Sequence, residues 1–184
     1  MTALGQELYF KAADKLWVSD GTVTKPVALG LAGTQDPQHL VASHGRLFYS
    51  ASSTYGRELF FYDPNEDAPS PNPKMVKNIR AGTASSDPKY LTAGTNGMVY
   101  FQANDGNKGA EFWRSNGTEI GTQLVEDVND TTTGSGTSTK NSKPEAFVEH
   151  KGAIYFLTRE GKTKKQELWK HETVLEKVWL ETIP

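Results

Sequence analysis

Apolar and polar positions alternate along this chain in short runs, and the runs recur. Four segments share an aliphatic residue followed by two aromatics: Leu8-Tyr9-Phe10, Leu47-Phe48-Tyr49, Val99-Tyr100-Phe101 and Ile154-Tyr155-Phe156. Their spacings are 39, 52 and 55 residues. A second series follows each of them: Leu16-Trp17, Leu59-Phe60, Phe112-Trp113 and Leu168-Trp169. A third, aliphatic series begins at Pro26, Lys74, Gln123 and Leu175. A shorter segment precedes the double aromatics, opening Asp36-Pro37, Asp87-Pro88 and Lys143-Pro144, and in the first unit it shrinks to about Met1 to Leu4.

Each unit therefore carries four strands of roughly 4 to 7 residues, bounded by Gly, Asn, Asp, Ser and Pro. The units run over about 1–34, 35–86, 87–142 and 143–184, the last ending at Pro184 in line with Pro37, Pro88 and Pro144. No window offers a helical stripe over three turns; even 172–181 favours a strand through its β-branched residues. Four short antiparallel strands at this spacing predict an all-β fold, a β-propeller of four four-stranded blades in one domain. The blades close a four-membered ring or form half of a larger one. Neighbouring strand residues point to opposite faces, so each double aromatic supplies one ring to each neighbouring blade. Trp17, Phe60, Trp113 and Trp169 recur at one position and read as core between blades.

Composition narrows the function classes. The chain has 184 residues, and 20 basic against 22 acidic side chains leave a net charge of −2. That balance argues against electrostatic capture by nucleic acid or an anionic membrane. No apolar run approaches the roughly 20 residues of a membrane span, and the N-terminus does not read as a signal peptide. With no cysteine, disulfides and thiolate metal sites are excluded and the compartment stays open.

The turns carry more specific chemistry. Ser19-Asp20-Gly21-Thr22 and Ser115-Asn116-Gly117-Thr118 place Asp-Gly and Asn-Gly where a tight hairpin needs positive φ. The flanking Ser and Thr can tie the turn to its own backbone. These segments, with Glu119-Ile-Gly121-Thr122 after the second, resemble the ELWxxDGT repeat family, described near hyalin-type repeats. The resemblance covers all four units, but only the first and third keep the turn; 63–73 replaces it in the second, and the fourth lacks it. It implies a propeller of surface, secreted or modular proteins without known chemistry; the expected setting is an extracellular surface or an organelle lumen.

No catalytic constellation stands out. The turns are also similar to the Asp-box hairpins of sialidase propellers, but Arg46, Arg57, Arg80, Arg114 and Arg159 fall at different repeat positions and do not obviously converge. His39, His44, His150 and His171 show no zinc spacing. His44 and His150 share a place ahead of the double aromatic, where a ring could bring them together. Asn104-Asp105-Gly106-Asn107 and Glu126-Asp127-Val-Asn129-Asp130 leave calcium open as a ligand, although neither follows the twelve-residue loop pattern. The sequons at Asn116 and Asn129 fall in predicted turns. Two connections, 63–73 and the low-complexity 130–139, are long enough to carry a binding surface on one side of a propeller. Candidate contacts there and in the last unit are Asp63, Asn65, Glu66, Asp67, Lys162, Lys164 and Lys165. The expected function is a non-catalytic protein-interaction or scaffold module with no cofactor. Its partners are proteins, a larger complex or another copy; a carbohydrate-binding propeller is the alternative.

Overall fold

The computed structural model describes residues 1–27, 35–66, 73–128, 141–159, 166–172 and 175–178, the last by backbone alone. They form sixteen strands in four antiparallel sheets, each an up-and-down meander of four strands consecutive in sequence. The first sheet holds β1 (Thr2–Leu4), β2 (Glu7–Ala12), β3 (Lys15–Ser19) and β4 (Thr24–Pro26). The second holds β5 (Gln35–Ser43), β6 (Arg46–Ser53), β7 (Gly56–Tyr62) and β8 (Lys74–Lys77). The third holds β9 (Lys89–Ala93), β10 (Val99–Asn104), β11 (Ala110–Ser115) and β12 (Gln123–Glu126). The fourth holds β13 (Glu145–His150), β14 (Ala153–Arg159), β15 (Gln166–His171) and β16 (Leu175–Val178). Among the described residues there is no helix, so none is long and apolar enough to cross a membrane. β4 ends at Pro26 and Val27 N still donates to Leu16 O at 2.9 Å, while the rest of the expected aliphatic strand, 28–31, lies outside the described residues.

The double aromatics divide between sheet faces, and register shows how. Phe10 pairs with Trp17, Tyr49 with Phe60, Phe101 with Trp113 and Phe156 with Trp169, so these pairs share one face. Tyr9, Phe48, Tyr100 and Tyr155 point to the other. Three apolar clusters result, one between each successive pair of sheets. Tyr9, Leu16 and Val18 of the first sheet meet Leu47, Tyr49 and Phe60 of the second. Phe48 and Leu59 of the second meet Val99, Phe101 and Trp113 of the third. Tyr100 and Phe112 of the third meet Phe147, Ile154 and Phe156 of the fourth, with Phe112 and Phe156 ring centroids 4.5 Å apart. Each such fully buried ring stabilises the stack by about 1.5–3 kcal/mol.

The first strands of successive sheets lie side by side, β1 next to β5, β5 next to β9 and β9 next to β13. Among the described residues no extensive contact returns from β13 to β1. The stack is therefore ordered, with a first and a last face.

Buried carboxyls hold the sheets in sequence. Glu58 is fully buried on β7 and accepts hydrogen bonds from Ile79 N (3.0 Å), Ser86 N (3.2 Å) and Ser86 Oγ (2.6 Å). It thereby pins both the exit of the second sheet and the chain entering the third. Glu111 repeats this on β11, accepting from Val128 N (3.3 Å), Ser142 N (2.8 Å) and Ser142 Oγ (2.5 Å). Beside Glu58 the chain passes so close that a Cβ on Gly56, at φ +82°, would lie 2.8 Å from the Ala84 carbonyl carbon. The first sheet has Lys15 at the corresponding place. There Asp36 forms ion pairs with Lys11 and Arg57, and Arg57 Nη1 donates to Asp36 O at 2.9 Å.

Burial raises both carboxyls to about 7, the hydrogen bonds from Ser86 and Ser142 opposing only part of the shift. The neutral acid is thus the form the fold prefers. Its contribution is complete below the ordinary carboxyl range and is lost as pH rises through about 7. His171 and His39 act oppositely, because burial holds both below the usual histidine range and they favour folding less as pH falls. A comparison with Glu58→Gln isolates the carboxyl. Urea unfolding from pH 5 to pH 8 should show wild type losing about 3 kcal/mol relative to that variant. A pH-independent difference would contradict the assignment.

Candidate functional site

The feature that repeats without serving the core lies on the adjacent first strands. On β5, and on or just before β9 and β13, two non-glycine residues lie in the left-handed region, three positions apart. They are Asp36 and His39 (φ 55° and 54°), Asp87 and Tyr90 (49° and 57°), and Lys143 and Ala146 (45° and 54°). The first of each pair precedes a proline, Pro37, Pro88 or Pro144. The second sits where the pairing register slips, between Gln38 and Val41, opposite the Tyr100–Gln102 step, and between Glu145 and Val148. Such bulges turn a side chain out of the pleat, and each strained residue costs on the order of 1 kcal/mol. Three of them in register make a rim along one end of the stack.

His39 and Tyr90 meet on that rim from adjacent sheets, with ring centroids 6.2 Å apart. Tyr90 is 41% exposed. Loss of solvent around the His39 ring, then the positive charges of Lys89 and Arg57, hold its imidazole below the usual histidine range. Between the third and fourth sheets the rim opens into a cleft of about 340 Å³, lined among others by Asp87, Lys89, Tyr90, Gln102, Lys143 and Glu145. Gln102 Nε2 donates to Pro144 O (2.9 Å) and Thr92 Oγ1 to Phe147 O (3.3 Å), fixing its two walls together. Both signs of charge, amide groups and an exposed phenol ring suit a polar ligand surface or a peptide.

The residues singled out from sequence are distributed differently. In the two Gly-containing turns the acidic or amide side chain does most of the bonding. Asp20 Oδ1 accepts from Thr22 N, Thr22 Oγ1 and Val23 N, each at 2.8 Å, which lowers its carboxyl to about 2. Gly21 has φ +92°. Asn116 Oδ1 accepts from Thr118 N (3.0 Å) and Thr118 Oγ1 (2.7 Å). Gly117, at φ +86°, packs where a Cβ would lie 3.2 Å from Phe48 Cζ. These turns are structural ties. Phe60 and Trp113 are buried between sheets, and Trp169 packs against the third cluster. Trp17 is half-buried and outside all three clusters, because among the described residues no sheet covers its face.

Asp63 accepts from Arg46 Nε at 3.1 Å and from Asn65 N at 3.0 Å, while Glu66 pairs with Lys74. Asp67, Lys162, Lys164 and Lys165 lie outside the described residues. Residues 67–72 of the first long connection and all of 130–139 also lie outside the described residues. Among the calcium candidates, Asn104 accepts from Gly106 N (2.7 Å), Asp105 from Asn107 N (2.8 Å), and Asp127 pairs with Lys108 (3.2 Å). Asn129 and Asp130 lie outside the described residues. His44 packs on Gly97 and His150 on Tyr155, so their rings have different neighbours.

Sequence reasoning registered the Asp-Pro and Lys-Pro segments as strands and missed the rim. The available signal was the proline itself, after which a bulge interrupts pairing three times. Left-handed backbone at position 90 predicts that Tyr90→Asn is nearly neutral for stability. Tyr90→Val, with a branched Cβ at φ 57°, should be less stable by about 1–2 kcal/mol in thermal denaturation. Equal stabilities would remove the strain from the argument. No protein-family model matches the chain, and no curated protein matches it.

Proposed function

We propose that this chain is a non-catalytic interaction and scaffold module, a β-propeller or a segment of one. It works as a surface module or as a peripheral subunit of a larger assembly. The observation that carries this reading is the rim, where His39 and Tyr90 project from strained bulges on adjacent first strands. Stacked meanders with their first strands side by side support a propeller, as does the resemblance to ELWxxDGT repeats. In that architecture the first strands line the centre, where partners are held by rigid elements. Strain retained at exposed positions, with no core to serve, points to binding.

A second reading rests on the cleft beside Tyr90. An exposed ring bordered by Asp87, Gln102 and Glu145 also suits a sugar, which stacks on aromatics and bonds to amides and carboxylates. A photo-crosslinking amino acid in place of Tyr90, used in the native source, should join the chain to one defined protein. Tyr90→Ala with Lys89→Ala should weaken that association about tenfold or more. Saturable glycan binding lost in the same variant would favour the second reading, and turnover of aryl glycosides would overturn both.

A further inference from the structure

We propose that a second copy of this chain covers the two unpaired sheet faces, the fourth sheet of each copy packing on the first sheet of the other. This rests on the propeller reading and names the partner that completes it. The argument is positional. In every sheet one face carries the second aromatic of the pair and its cross-strand partner. In the second, third and fourth sheets that face lies on the preceding sheet, and Leu47, Tyr49, Val99, Phe101, Ile154 and Phe156 are at most 2% exposed. In the first sheet the same positions are Leu8, Phe10 and Trp17. Leu8 is 39% exposed and the two rings are only half-buried.

The opposite face shows the complementary gap. Tyr9 and Leu16, Phe48 and Leu59, and Tyr100 and Phe112 are buried under the following sheet, none more than 2% exposed. Their counterparts on the fourth sheet, Tyr155 and Leu168, are half-buried, and Val148, the cross-strand partner of Tyr155, is 56% exposed. At the place of Lys11, Ser50 and Gln102 this sheet has Leu157, and at the place of Val18, Phe61 and Arg114 it has Lys170, so the outer face keeps the apolar centre of the covered ones. Each kind of face is covered three times in the chain by the other kind. The partner that fits the first sheet is therefore a fourth-sheet face. Among the described residues β13 makes no extensive contact with β1, and the proposal assigns that face to a second copy. Two copies satisfy both gaps at once and close a two-fold ring of eight sheets, whereas a single contact repeated without closure would give a filament.

Light scattering on the purified chain should give twice its 20.2 kDa mass. Leu8→Glu and Val148→Glu each disturb both contacts of such a dimer and should weaken it by about 100-fold with unchanged circular dichroism. Mixing the two variants leaves one intact contact and should recover dimer. Leu8→Lys and Val148→Lys serve as folding controls with the opposite charge and should behave alike. A 20.2 kDa wild type, a dimer indifferent to both positions, a dimer sensitive to only one, or a mass that grows with concentration would each overturn the proposal. Electron-microscopic averages of the dimer separate the two readings. Eight sheets around a centre support both, while a dimer through these faces without a ring would remove the propeller and leave the contact.

Discussion

Every sheet in this protein is apolar on both faces, and that single constraint orders the rest. A meander with Tyr9 and Leu16 on one side and Phe10 and Trp17 on the other cannot stand in water by itself. It needs a neighbour on each side, and the neighbours supplied by the chain are sheets of the same design. The second and third sheets are satisfied on both faces, which is where the fully buried rings Phe48, Tyr49, Phe60, Phe101 and Phe112 lie. Among the described residues the first and fourth sheets are covered on one face.

Stacking alone would leave the order of the sheets loosely held, since one aromatic face resembles another. The chain resolves this with buried polar groups whose partners lie at defined places along the chain. Glu58 and Glu111 reach from the third strand of one sheet to the entry of the next, each binding a serine that stands two residues before the proline of the following unit. A buried carboxyl costs heavily unless hydrogen-bonded, so misplacing either serine would leave it unsatisfied. The same geometry sets where the first strands lie, and with them the rim of left-handed residues.

Much of this was legible in the residues. The sixteen strands, their grouping in fours and the alternation of rings follow from period-two patterning and from Gly and Pro punctuation, which act locally. The Asp20 and Asn116 turns were equally readable, because Asp-Gly and Asn-Gly specify a backbone conformation without distant help. Less legible was the meaning of Glu58 and Glu111, which the pattern registers only as a residue before an apolar pair. Their role depends on a serine 28 and 31 residues away. The rim was hidden for the same reason: His39 and Tyr90 are 51 residues apart in sequence and meet only because β5 lies beside β9.

The sequence by itself therefore determined the strand content, the hairpins and the two-faced character of each sheet. All three are set by interactions within a few residues, where side-chain alternation and allowed φ leave little choice. Only the tertiary structure decided which face meets which, which carboxyls are buried and which residues stand free at the rim. Those outcomes depend on contacts between whole sheets, and they emerge only when burial of one sheet's rings fixes the position of the next.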